Sequence, residues 1–289
     1  MGQQIFLVNT DFPIQLRTYL RGHQGITARM LKRLKAQENG ITCNGKPIRV
    51  VDTVQNGDRI VLTLPEIPSF EGNPSLQIPI VWESEELVIY NKPVGMPVHP
   101  SAKHRGDTLG NAFAARYPDS AFHAVFRLDR NTSGLCAVAK SAYAANLMQG
   151  KFQKRYYALV PHGLHGNGTI SAPIARQQES VITRCVREDG KQAVTHYRVL
   201  WEGEDCTLVE CILETGRTHQ IRVHMAHIGY PLLGDSLYGG DCSILTEQAL
   251  HCGWLSFPAL DDNKEIILTA SLREDMLKLL PEMPNMFTL

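Results

Sequence analysis

Val125-Phe126-Arg127-Leu128-Asp129-Arg130-Asn131-Thr132-Ser133-Gly134-Leu135 places one acid between two arginines. It follows the acid with turn residues and runs into the apolar segment Leu135 to Ala139. Flanking cations favour the charged form of a carboxylate, so Asp129 is expected to be ionised at neutral pH. Asn-Thr-Ser-Gly is turn chemistry, with Gly134 free to adopt a positive φ. An acid on a turn ahead of a buried strand is a common place for function and also for a structural ion pair. Local composition leaves both readings open.

Working outward, 289 residues suggest about two domains. There is no run of 18 apolar residues and no basic-then-apolar start. The expectation is a soluble, cytoplasmic chain with no membrane partner. Seven scattered cysteines without a C-x-x-C pair fit reduced thiols better than a disulfide framework or a zinc site. Net charge is zero, but it is unevenly spread. Residues 1–64 hold nine Lys/Arg against four Asp/Glu, and residues 151–200 hold eight against three. Residues 201–289 hold five against fourteen. Attraction to a polyanion is a local surface property, so the basic regions are the informative ones.

On the N-terminal side, apolar spacing predicts two short helices over residues 12–36, the first stopped by Gly22 and the second capped by Thr27. The second carries Arg29, Lys32, Arg33 and Lys35 opposite Met30, Leu31 and Leu34. Asn44-Gly45 between short apolar runs is a hairpin signal, and Asn56-Gly57 precedes a strand over Arg59 to Leu64. Residues 65–79 contain four prolines and read as a linker.

Beyond it, a strand at Leu87 to Tyr90 enters the Pro/Gly-rich loop Asn91 to Pro100, and a helix is expected over Asp107 to Tyr117. Ser141 should cap a helix reaching Phe152, followed by a strand from Lys154 to Val160 and another from Thr207 to Leu213. Thr215 reads as the N-cap of a helix that Gly229 and Pro231 end. That reading puts Arg217 in a first turn, where the helix dipole disfavours a cation unless an anion is near. Asp129 is the anion to test. His219, His224 and His227 lie near one another without an acidic partner, so no metal site is read there.

Three stretches now stand together: Leu87 to Pro100 (Asn-Lys-Pro-x-Gly, Val-His-Pro), Phe126 to Gly134 (Arg-Leu-Asp-Arg-x-Thr-Ser-Gly), and Thr215 to Asp235 (Thr-Gly-Arg-Thr-His-Gln-Ile-Arg-Val-His, Gly-Tyr-Pro-Leu-Leu-Gly-Asp). Together they closely resemble the RluA branch of the RNA pseudouridine synthases. Residues 1–64 resemble the small RNA-binding domain named after ribosomal protein S-four. The resemblance implies an α+β fold: a catalytic domain at 80–289 on a mixed, largely antiparallel sheet, behind a small α/β RNA-binding domain. It implies Asp129 as nucleophile, Tyr156 as the aromatic stacking on the target base, Arg217 as the partner of Asp129, and Ile221 as the apolar residue beside the flipped base. Asn91, Lys92, His99, Arg127, Arg130, His219 and Arg222 are the implied substrate contacts, and Arg29, Lys32, Arg33 and Lys35 the RNA face of the front domain. Strand alternation is expected to turn only one of Tyr156 and Tyr157 inward.

Many relatives carry His immediately before Arg-Leu-Asp, and here that position is Phe126. The isomerisation implied needs no cofactor or metal, and the sequence has no Gly-rich phosphate loop or H-E-x-x-H. RNA is the implied partner, ribosomal RNA ahead of transfer RNA, with a monomer as the default state. A relative that only bound RNA would be expected to lose Asp129, Arg217 or Tyr156, and all three are present. A glycosidase needs paired carboxylates, and the motif offers one.

Overall fold

The computed structural model describes residues 2–64, 70–177, 182–260, 262 and 264–281. Pro65 and Pro68 of the proline-rich segment lie outside the described residues.

The Asn44-Gly45 signal works as expected. Both residues take positive φ (49° and 81°), the requirement of a type I′ turn, and the turn pairs Ile41–Cys43 with Lys46–Pro47. Arg59–Leu64 pairs with Ile41–Cys43 on one side and Gly2–Leu7 on the other, completing a four-stranded antiparallel sheet. Gly2–Leu7 has no sequence signature because Ile5 and Leu7 are 52% and 69% exposed, so hydrophobicity does not alternate with burial. Ala28–Lys35 is a helix capped by Thr27, whose Oγ1 accepts the Met30 N–H at 3.3 Å. The first predicted helix shrinks to Leu16–Thr18 and continues as a π turn, Tyr19–His23, so Gly22 lies inside the turn instead of ending it. Leu16, Leu20, Ile26, Leu34, Ile60 and Leu62 form the core between these elements.

Asn146 ties this unit to the rest, its Oδ1 accepting from Thr27 N (3.1 Å) and its Nδ2 donating to Gly25 O (3.1 Å). From Phe70 the proline-rich segment is packed: the Phe70 ring meets Phe122 at 5.6 Å, and Asn73 N donates to Asn111 O.

The large sheet is ten-stranded and mixed, mostly antiparallel. Third from one end of its main path is Ser133–Ala139, all seven residues buried, lying antiparallel to Leu87–Lys92 and parallel to Leu250–Pro258. Beyond Leu250–Pro258 come Gln153–Pro161, Cys206–Leu213, Val194–Glu202 and Asn167–Ser171 in order. Small side chains at Cys136, Ala137 and Ala139 let layers pack closely on this strand. Both faces of the sheet are covered. Tyr156 belongs to the cluster with Ile221 and Leu135, and Tyr157 to the cluster with Leu159, Leu208 and Met276. Alternation therefore sends the two tyrosines to opposite faces but buries both, contrary to the one-inward expectation.

Leu109–Arg116 is helical with a capping box from Thr108 and Asn111. The Ser141-capped helix ends at Met148, short of Phe152, because Gln149 is extended and Gly150 takes φ 77°. Among the described residues no helix is long and apolar enough to cross a membrane.

Candidate active site

Asp129 sits in the turn that feeds the buried strand Ser133–Ala139. Its backbone carbonyl accepts from Thr132 N (3.1 Å), and Thr132 Oγ1 accepts from Gln248 Nε2 (2.8 Å) in a buried contact. Gly134 takes φ 103°, and a Cβ there would lie 2.3 Å from Cys252 O, so no other residue fits the approach of the two parallel strands. Ser133 Oγ lies 2.9 Å from His251 Nδ1 across the same pair. The turn is thus held from below, while the Asp129 side chain keeps 26% of its surface exposed.

The cation beside it is Arg222. Its Nη1 is 3.4 Å from Asp129 Oδ2, and its Nε and Nη2 each lie 2.7 Å from the Asp235 carboxylate. Burial opposes the guanidinium's charge, but Asp235 and Asp129 more than offset it and raise its pKa. Bidentate pairing fixes the plane of the guanidinium as well as its charge. The expected partner Arg217 is elsewhere: it is exposed, and its Nε donates to Gln192 O at 3.0 Å. The physical reason lies in where the helix begins. The helix is Gln220–His227, with His219 at its N-cap in the left-handed region (φ 58°). Thr215 caps nothing; its Oγ1 accepts from Val194 N and bonds to Gln220 Oε1, which also accepts the Arg217 N–H. Arg217 therefore precedes the helix, and Arg222 occupies its first turn.

Tyr156 and Ile221 are 7% and 4% exposed and share the cluster under the site. Burial, with Cys252 and Asp129 adding to it, raises the Tyr156 pKa well above the ordinary value, so it remains a phenol. His219 Nε2 lies 3.8 Å from Asp129 Oδ2.

The other expected contacts divide. Arg127 and Arg130 are exposed beside Asp129, and Arg130 Nε donates to Gly95 O at 3.1 Å. His99 is exposed, its ring edge-on to Phe122 at 5.1 Å. Asn91 is half-buried in the sheet, paired with Leu135. Lys92 is not available to a substrate. It is 0% exposed, and its ammonium donates to Pro93 O (2.8 Å), Met96 O (2.8 Å) and Arg130 O (3.0 Å). Burial lowers its pKa to about 8. It fastens the Pro/Gly-rich loop to the Asp129 turn. Phe126 meets Phe152 at 5.4 Å and carries Lys154 Nζ 4.8 Å over its ring. His224 is enclosed by Thr195 Oγ1 and Ala172 O, each at 2.9 Å.

Sequence reasoning missed Asp235, Tyr238 and Gln248. Asp235 was visible inside Gly-Tyr-Pro-Leu-Leu-Gly-Asp, but nothing local says that a buried arginine thirteen positions earlier needs it.

The site is a partly exposed carboxylate held by a buried arginine, with a buried tyrosine beside it on a mixed sheet. A family model described as RNA pseudouridylate synthase matches residues 86–227. The chain belongs to the RNA pseudouridine synthases, which are isomerases. A relative named uncharacterized RNA pseudouridine synthase YlyB, of Bacillus subtilis (strain 168), is 40% identical over 260 residues, 84% of this chain and 86% of that protein. A second, named ribosomal large subunit pseudouridine synthase D, of Pseudomonas aeruginosa, is 37% identical and covers 84% of each chain. The solved human RNA pseudouridylate synthase domain containing 4 superposes with a TM-score of 0.58 at 25% identity, covering 71% of this chain and 94% of that one.

Proposed function

We propose that this enzyme converts specific uridines of structured RNA to pseudouridine, with large-subunit ribosomal RNA as its substrate and Asp129 as its nucleophile. The observation carrying the reading is the partly exposed Asp129 carboxylate fixed by Arg222 Nη1 at 3.4 Å, while Asp235 anchors that arginine. The substrate class is supported by relatives whose names specify the ribosomal large subunit.

The reaction breaks the N1–C1′ bond, turns the uracil and rejoins it through C5. The C5 proton leaves and N1 ends protonated, so substrate and product are isomers and no co-reactant is consumed. An ionised Asp129 serves three routes: addition to the ring, attack at C1′, or removal of a ribose proton to give a glycal. Each needs the carboxylate deprotonated and oriented, which is the contribution of Arg222. A uridine in a duplex is out of reach, so the base is flipped, with Tyr156 and Ile221 forming its apolar platform. Arg127 and Arg130 meet the flanking phosphates.

Residues 1–64 act as an S-four-type RNA-binding domain in front of a catalytic domain at 80–289. Support comes from the cleft of about 130 Å³ lined by Arg17, Arg21, Lys32 and Lys35. Two of these are expected residues of the basic face. The other two, Arg17 and Arg21, come from the preceding helical turn.

The test is to map pseudouridine in cellular RNA with and without this protein, adding back wild type or Asp129→Asn. Wild type should restore the missing modification and Asp129→Asn should not. Restoration by Asp129→Asn sinks the nucleophile assignment.

A further inference from the structure

Among the described residues two side chains reach the Asp129 carboxylate, and both meet the same oxygen: Arg222 Nη1 at 3.4 Å and His219 Nε2 at 3.8 Å from Oδ2. The second contact is longer than a hydrogen bond, as contacts in unliganded sites often are. Behind His219, its Nδ1 lies 2.8 Å from the Tyr238 hydroxyl, and that hydroxyl accepts the Arg184 backbone N–H at 3.0 Å. An amide N–H only donates, so the phenol oxygen is the acceptor in that bond and its own proton is free for Nδ1. A ring whose Nδ1 accepts carries its neutral-state proton on Nε2, the nitrogen facing Asp129. The other tautomer would aim a lone pair at a carboxylate. The Tyr238 ring also covers the Arg222 guanidinium, 4.9 Å from Cζ to centroid. One tyrosine thus contacts both groups that hold Asp129, and it lies outside the stretch matched by the family model.

We propose that Tyr238 is a positioning residue: its hydroxyl fixes His219 as an Nε2–H donor toward Asp129 Oδ2, leaving Oδ1 as the reacting oxygen. The role rests on the reading of Asp129 as the reacting carboxylate. The groups facing His219 are Asp129 from the turn, Arg222 from its own helix, Arg184 from the Arg184–Val186 strand, and Asp235 and Tyr238 from the following loop. Burial lowers the His219 pKa, Arg222 and Arg184 act in the same direction, and Asp129 and Asp235 oppose them. The ring is therefore neutral at pH 7 and above, where its tautomer matters. The imidazolium formed at lower pH has a proton on both nitrogens and needs no such control.

That difference gives the experiment. Tyr238→Phe keeps the ring over Arg222 and removes only the hydroxyl. On an RNA substrate, kcat at pH 8 to 9 should fall about fivefold, the size of one net hydrogen bond, with KM unchanged. The deficit should shrink as pH falls and His219 becomes charged. An unchanged kcat, or a deficit equal at every pH as a merely structural role would give, overturns the proposal. A second measurement needs no turnover. Nitrogen-15 NMR of histidine-labelled full-length protein at pH 8, with His219 assigned through His219→Gln, should show Nε2 protonated and Nδ1 bare. A protonated Nδ1 in wild type overturns the proposal. Because this readout involves no chemistry, it is separate from the Asp129→Asn test of the nucleophile.

Discussion

Asp235 is 2% exposed and Arg222 is 7% exposed, so each is the condition for the other's burial. Removing the arginine outright would leave a buried, unpaired carboxylate at a cost of about 3–5 kcal/mol, which would confuse catalysis with folding. Arg222→Lys is the cleaner change. It keeps a charge for Asp235 but cannot span Asp235 and reach Asp129 together. Single-turnover formation of pseudouridine should slow by about 10²-fold, the scale of losing one preorganised electrostatic contact. Arg217→Ala should stay within about threefold, because among the described residues its guanidinium bonds a backbone carbonyl of Gln192 and not Asp129. If Arg217→Ala is as slow as Arg222→Lys, Arg222 is not the group that holds Asp129. The two arginines are five positions apart in one motif, and choosing between them requires knowing where the helix begins. Thr215 has the composition of an N-cap, whereas the observed N-cap is His219 at φ 58°. A bulky residue in the left-handed region is uncommon, and no local pattern announces it. The proximity of Asp129, Tyr156 and Ile221 was legible because each stands in a short motif. Their supports were not, since Asp235, Tyr238 and Gln248 meet them only after the chain has turned back.

At the scale of elements, the site depends on the join between Ser133–Ala139 and Leu250–Pro258. Gly134→Ala must place a Cβ 2.3 Å from Cys252 O at φ 103°. The variant should lose at least about 2–3 kcal/mol in urea unfolding, since backbone on both sides leaves little room to relax. A loss below about 0.5 kcal/mol would mean that the strands separate freely there. His251 on the second strand tests the same join by pH. Burial pushes its pKa down to about 4 from an ordinary 6.5, against an opposing backbone contact at Ala270. Above pH 6.5 neither state carries the proton. Between pH 6.5 and 4 the unfolded chain takes up a proton that the folded one refuses, so stability is lost as the pH falls. The shift corresponds to about 3 kcal/mol across that window. His251→Gln should lose correspondingly less on acidification than wild type, read from unfolding free energies at pH 7 and pH 4.5. Equal losses would place the acid sensitivity elsewhere. Strands with strong apolar runs or tight turns, such as Ser133–Ala139 and Ile41–Cys43, were legible in the sequence. Gly2–Leu7 was not, because an edge strand with outward apolar residues lacks alternation. Nor was the double burial of Tyr156 and Tyr157, since a single strand does not reveal that its sheet is covered on both faces.

For the whole molecule, a net charge of zero conceals a basic front and an acidic back: residues 1–64 carry an excess of five positive charges and residues 201–289 an excess of nine negative. The front places Arg17, Arg21, Lys32 and Lys35 around one cleft, while Arg29 and Arg33 stand outside its lining. All six side chains are exposed, so replacing them disturbs little packing. If the cleft follows an RNA backbone, each phosphate contact releases counterions, and the slope of log affinity against log salt steepens by about 0.7–0.9 per contact. Arg17→Gln, Arg21→Gln, Lys32→Gln and Lys35→Gln combined should therefore flatten the slope by about 3. Arg29→Gln with Arg33→Gln should flatten it by less than about 1. KM for structured RNA should rise in the fourfold variant while kcat at saturation holds, because Asp129 is held by groups from other elements. The measurements are filter binding across a salt series and turnover on the same RNA. An unchanged slope would remove residues 1–64 from the RNA interface. A reduced kcat at saturation would mean instead that the front unit, joined to the catalytic part through Asn146 on Thr27 and Gly25, helps to set the geometry of the turn itself.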